Sequence, residues 1–80
     1  MKLPRDLSGA DLVKALARFG YRVTRQTGSH IRLTTDTPAP HHLTIPAHDP
    51  LRTGTLAAIL SAVAAHQQID RDALIARLFG

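Results

Sequence analysis

The run Arg25-Gln26-Thr27-Gly28-Ser29-His30 ends on an imidazole that lies close in sequence to Arg22, Arg25 and Arg32. A free imidazole titrates at about 6.5, so a positioned histidine can take or give a proton near neutrality. Guanidinium groups grip phosphate in a planar fork and stabilise negative charge that develops in a transition state. Together these residues fit acid–base chemistry beside a polyanion. On residue types alone, His30 more often reads as an ordinary exposed strand histidine, and the arginines as solvated charges. His42 and His48 are two further imidazoles with the same choice of readings. Ser29 and Gly28 read as turn formers, since nothing else in the chain suggests a nucleophilic triad. Five histidines raise the question of a metal. His41 and His42 are adjacent on a strand and diverge, there is no cysteine and no helical i, i+4 pair, so no metal site and no cofactor is expected.

The elements that must position His30 can be read from its flanks. Tyr21-Arg22-Val23-Thr24 and Ile31-Arg32-Leu33-Thr34 alternate apolar and polar, which means two half-buried strands joined as a hairpin. A loop of only Gly28-Ser29 would set Thr27 against His30 and Val23 against Thr34, placing the apolar residues of the two strands on opposite faces. A three-residue loop, Gln26-Thr27-Gly28 or Thr27-Gly28-Ser29, repairs this. In the first, Val23 opposes Ile31, Tyr21 opposes Leu33, Thr24 opposes His30 and Arg22 opposes Arg32. His30 then stands among arginines on the face that the core does not need.

Around the hairpin, Met1 to Leu7 reads as an extended lead-in. Ser8, with Asp11 three residues on, caps a helix over about Gly9 to Phe19 that Gly20 stops. Strands follow at roughly 21–26 and 29–35, then a proline-rich loop. A third strand, His41 to Ile45, turns Leu43 and Ile45 inward and His42 and Thr44 outward. Thr53 reads as the cap of a helix whose buried stripe is Leu56, Ile59, Leu60 and Val63. Asp70 caps a last short helix with Leu74, Ile75 and Leu78 inward. The order α-β-β-β-α-α predicts an α+β fold. A three-stranded antiparallel sheet carries the main helices on one face, akin to a double-stranded-RNA-binding domain, and the other face stays open.

Eighty residues read as one domain, 1–80, with a small core. The absence of cysteine suits a reducing cytoplasm, and no apolar run nears the length of a membrane span. Ten Lys and Arg, eight of them arginine, stand against six Asp, for a formal charge of +4. Residues 1–35 carry seven basic and two acidic groups, and the remainder three and four, so the positive charge gathers around the hairpin. A polyanionic partner follows from that imbalance.

Three ordered segments carry a family resemblance. Arg25-Gln26-Thr27-Gly28-Ser29-His30 is similar to the R-Q-x-G-S-H signature of HicA-like toxins. Thr44-Ile45-Pro46-Ala47-His48 resembles that family's T-[IV]-P-x-H segment, and Gly54 to Leu60 its G-T-L-x-x-I-L helix start. The resemblance spans roughly residues 8–64. It implies a double-stranded-RNA-binding-like fold, an mRNA interferase activity with His30 as the catalytic histidine, and a HicB-like antitoxin partner that blocks the site. The chain departs from the pattern after His48, where the loop looks short and keeps only Arg52. It departs again at Ser61-Ala62-Val63-Ala64-Ala65, and both changes remove positive charge. For RNA, the 2′-hydroxyl beside the scissile phosphate supplies the nucleophile. A histidine as base or acid then suffices without a metal, with Arg22, Arg25, Arg32, His42 and His48 as candidate RNA contacts. Strand facing makes His42 the candidate second proton-transfer group. The alternative reading is a non-catalytic double-stranded RNA-binding module on the same basic face. Scarcity of aromatics argues against base-stacking recognition of single strands.

Overall fold

The computed structural model describes residues 3–80. Of the expected lead-in, Met1 and Lys2 lie outside the described residues, and the remainder bends at Asp6, whose φ is 58°. Ser8 caps the first helix, α1 (Gly9–Leu16). Its hydroxyl accepts from the Asp11 N–H at 3.0 Å while the Asp11 carboxylate accepts from the Ser8 N–H at 3.3 Å, so two orphan donors are satisfied reciprocally. The last turn tightens into a 3-10 turn over Ala17–Phe19, where one continuous helix is expected from the sequence, and Gly20 ends it at φ 79°.

The sheet contains β1 (Arg22–Thr27), β2 (His30–Thr35) and β3 (His41–Pro46), antiparallel and in chain order. Two further helices follow, α2 (Thr53–Gln67) and α3 (Arg71–Phe79). Asp70 caps α3 as its sequence predicts, accepting from the N–H groups of Asp72 and Ala73. Thr53 does not cap α2. It is the first helical residue, and Arg52 precedes it without a side-chain cap bond. The arrangement is the α+β, double-stranded-RNA-binding-like layout, with the helices packed on one face of the sheet.

Leu12 and Leu16 of α1, Leu33 and Ile45 of the sheet, Leu60 and Val63 of α2 and Leu74 of α3 are wholly buried together. Each such side chain contributes about 1.5–3 kcal/mol through removal of apolar surface from water. β1 contributes little to this layer. All six of its residues are exposed, and Val23, expected on the apolar face, is 50% exposed at the sheet edge.

At the far end of the sheet from His30, a polar cluster ties the 36–40 loop to α2. The Tyr21 hydroxyl lies 2.7 Å from His41 Nδ1, and the His41 ring stacks on His66 with centroids 4.3 Å apart. His66 Nε2 donates to the Ala39 carbonyl at 2.8 Å, and the Gln67 amide donates to the Thr37 carbonyl at 2.9 Å. Burial, then the charges of His66 and His42, hold the His41 imidazole below its ordinary value. The unfolded chain therefore takes up more protons than the native state once the pH falls below about 6.5, and stability falls with it. Thermal melts between about pH 7 and pH 5 should show a steeper loss in the wild type than in a His41→Asn variant.

Candidate functional site: the open sheet face

The hairpin joins through Gly28 and Ser29 alone, the short loop set aside above, and Gly28 adopts φ 55° as a two-residue turn with glycine first demands. The mismatch in facing is repaired elsewhere. A β-bulge at Thr24 inserts one extra residue between Val23, opposite Leu33, and Arg25, opposite Arg32. Thr27 opposes His30, Gln26 opposes Ile31 and Arg22 opposes Thr34, in place of the pairs expected from a three-residue loop. A bulge is invisible to a search for period-two alternation, because it adds a residue without a glycine or proline to mark it. The two-residue turn puts Arg25 on the face that holds His30 and Arg32, and the bulge then returns Val23 to the side of Leu33 and brings Arg22 onto the open face beside Thr34.

That face carries Arg22, Arg25 and Thr27 from β1, His30, Arg32 and Thr34 from β2, and His42, Thr44 and Pro46 from β3. His30 is exposed at the turn end of the central strand, and its imidazole has no hydrogen-bond or ion-pair partner among the described residues. Arg25 and Arg32 face each other directly across the strand pair. Like charges in that position destabilise a sheet, and no carboxylate pairs with either among the described residues. Arg22 differs, being ion-paired to Asp36 at 3.1 Å, an acidic neighbour that strand facing does not bring to mind.

His42 points to this face as expected, but its partner on β2 is Thr34, four residues along the strand from His30. At 3.3–3.4 Å per residue that is about 13 Å, too far for two groups to share one phosphodiester. This removes His42 as the second proton-transfer group for His30. The loop of His48 lies much nearer. Pro46 opposes His30, and His48 follows two residues later, at most about 7 Å further on. Ala47 N–H donates to the Ser29 carbonyl at 2.6 Å, so this loop is fastened to the turn that presents His30. It is also fastened to the start of α1, by Gly9 N–H to the His48 carbonyl at 2.9 Å and by Leu51 N–H to the Leu7 carbonyl at 2.7 Å.

Gly9 is the residue that sequence reasoning passed over. A Cβ there would collide with the Pro46 carbonyl, and α1 can approach the end of β3 only without one. The available signal was a glycine at the first position of a well-capped helix, where alanine would serve the helix better. No group of three or more His or Asp side chains that could hold a metal ion is found among the described residues. The model of the family described as HicA toxin of bacterial toxin-antitoxin matches residues 9–64, which takes in α1, the whole sheet and most of α2.

The chain belongs to the HicA toxin family. No match was found among curated proteins or among solved structures. HicA membership makes the chain the toxin member of a toxin–antitoxin system and implies a HicB antitoxin as its partner. The HicA region holds every residue of the open face and ends inside α2, and α3 lies outside the matched residues. Among the described residues, no helix is long and apolar enough to cross a membrane.

Proposed function

We infer that this HicA toxin is a metal-independent endoribonuclease acting on mRNA, with His30 as its general base and the open sheet face as its RNA-binding surface. The observation that carries this reading is the opposed Arg25 and Arg32 next to an exposed imidazole, all three without a partner among the described residues. A folded chain keeps an unfavourable charge pair where a ligand relieves it, and a phosphodiester backbone does so.

His30 takes the proton of the 2′-hydroxyl, and the resulting oxygen attacks the adjacent phosphorus. Arg25 and Arg32 stabilise the negative charge on the phosphoryl oxygens. The bond from phosphorus to the 5′-oxygen breaks, and that oxygen receives a proton from His48, the imidazole whose loop is fastened to the same turn. The products are a 2′,3′-cyclic phosphate and a 5′-hydroxyl. No step needs a Lewis acid, because the nucleophile belongs to the substrate and the arginines bear the developing charge. Arg22, drawn toward Asp36, serves as a weaker flanking phosphate contact. Gly28 and Ser29 hold the turn.

The test is incubation of purified protein with a long RNA, with and without EDTA, followed by analysis of the ends. Cleavage that persists in EDTA and leaves cyclic phosphate supports the reading, and 5′-phosphate products overturn it. A second test separates binding from fold. Arg25→Thr should raise stability by a few tenths of a kcal/mol, since it relieves the opposed charges. It should also weaken RNA binding at every sequence and reduce the salt dependence of binding by about one charge. A variant that binds RNA as tightly as wild type, with the same salt slope, contradicts a phosphate contact at Arg25.

A further inference from the structure

Thr34 is buried on the face that is otherwise open, with 7% of its surface exposed, and it sits in the middle of a hydroxyl chain. Its Oγ1 lies 2.8 Å from His42 Nδ1 and 2.9 Å from Thr24 Oγ1, and Thr24 Oγ1 donates to the Arg32 carbonyl at 3.4 Å. The chain has a direction. The Arg32 carbonyl can only accept, and where the single hydroxyl proton of Thr24 goes to it the direction of the other two bonds follows. Thr24 then accepts from Thr34, whose own proton is thereby used, and Thr34 can only accept from His42. In that arrangement His42 carries its proton on Nδ1. In the neutral ring this leaves Nε2 as a bare acceptor on the exposed side, and no described residue partners it.

Resting on the RNA reading above, we propose that His42 recognises a ribose 2′-hydroxyl of the bound RNA through Nε2, at a nucleotide flanking the one cleaved. An acceptor of this kind pairs with a hydroxyl donor and gains nothing from a phosphate, which only accepts. The 2′-hydroxyl is the group that distinguishes RNA from DNA at a given position. The separation of about 13 Å from the row of His30 puts the contact away from the reacting phosphate. Thr34 and Thr24 are positioning residues in this scheme. The bulge in the hairpin is what turns the Thr24 side chain toward Thr34.

The experiment measures binding in the His30→Ala full-length protein, so that cleavage does not interfere. The probes are an RNA oligonucleotide that the wild type cuts and the all-deoxy oligonucleotide of the same sequence. His42→Ala and Thr34→Val should each weaken RNA binding about three- to tenfold while leaving DNA binding unchanged. The double variant should lose no more than either single one, and Thr34→Ser, which restores the hydroxyl, should retain the RNA preference. Equal losses on RNA and DNA, or an unchanged preference for RNA in both variants, overturn the assignment of His42 while the RNA reading stands. Absence of binding to either nucleic acid in the His30→Ala protein overturns both.

Discussion

Replacing His30 by alanine is expected to lower the rate of RNA cleavage by about 10²–10⁴, the range over which a positioned acid or base contributes. The loss should fall on the chemical step, with RNA affinity changed only a few-fold, because the proposed phosphate contacts are assigned to arginines and not to His30. Stability should move by no more than about 0.5 kcal/mol, since the side chain is exposed and makes no bond that the fold depends on. Single-turnover cleavage with protein in excess, run beside a thermal melt and a filter-binding curve, resolves all three quantities. A variant that cuts at the wild-type rate contradicts the assignment. Loss of cutting in His48→Ala alone would move the essential imidazole to the neighbouring loop.

The second large effect is expected at a residue with no chemistry of its own. By helix propensity alone, Gly9→Ala gains up to about 1 kcal/mol, because alanine is the better helix former. The structure predicts the opposite sign. The new methyl group meets the Pro46 carbonyl, which is backbone and cannot rotate away. Either α1 withdraws from β3 or the 46–48 segment shifts. Overpacking of this kind costs about 1–3 kcal/mol or more, and a domain of this size then melts about 10–20 °C lower for a net loss of 2–3 kcal/mol. Cleavage should fall with it at temperatures where the variant is still folded, since the displaced loop carries His48 and is tied to Ser29. Gly54→Ala provides the contrast. No atom lies within 4 Å of a Cβ there, and the helix should gain a few tenths of a kcal/mol. Melting curves of the two variants side by side decide the point, and a stabilised Gly9→Ala would remove the close approach from the account.

Much of this architecture was legible in the sequence because it rests on local rules. Ser8 with Asp11, Asp70 before Arg71, and the alternation of Leu43 and Ile45 with His42 and Thr44 all report elements whose physics is contained within a few residues. The open face with His30 and Arg32 followed from the same alternation. What escaped depends on partners distant in the chain. The Thr24 bulge has no residue of special conformation to announce it, and without it Val23 would oppose Thr34 and Arg22 would leave the open face. The distance between His30 and His42 depends on which residues of β2 and β3 are paired, and facing alone does not give that register. The close approach at Gly9 joins residues almost forty positions apart. Thr53 failed as a cap because Arg52 already holds the extended conformation that a cap requires, so the helix begins one residue earlier than a threonine cap would place it.

The most direct measurement of the central claim uses one RNA oligonucleotide that the wild-type protein cuts at a single bond, and a twin bearing 2′-deoxyribose only on the 5′ side of that bond. The account assigns the nucleophile to the missing hydroxyl, so the twin should remain uncut at that position, with or without EDTA, while still binding. Cleavage of the twin at the same bond would show that water or a protein group attacks the phosphorus, and would contradict the role given to His30.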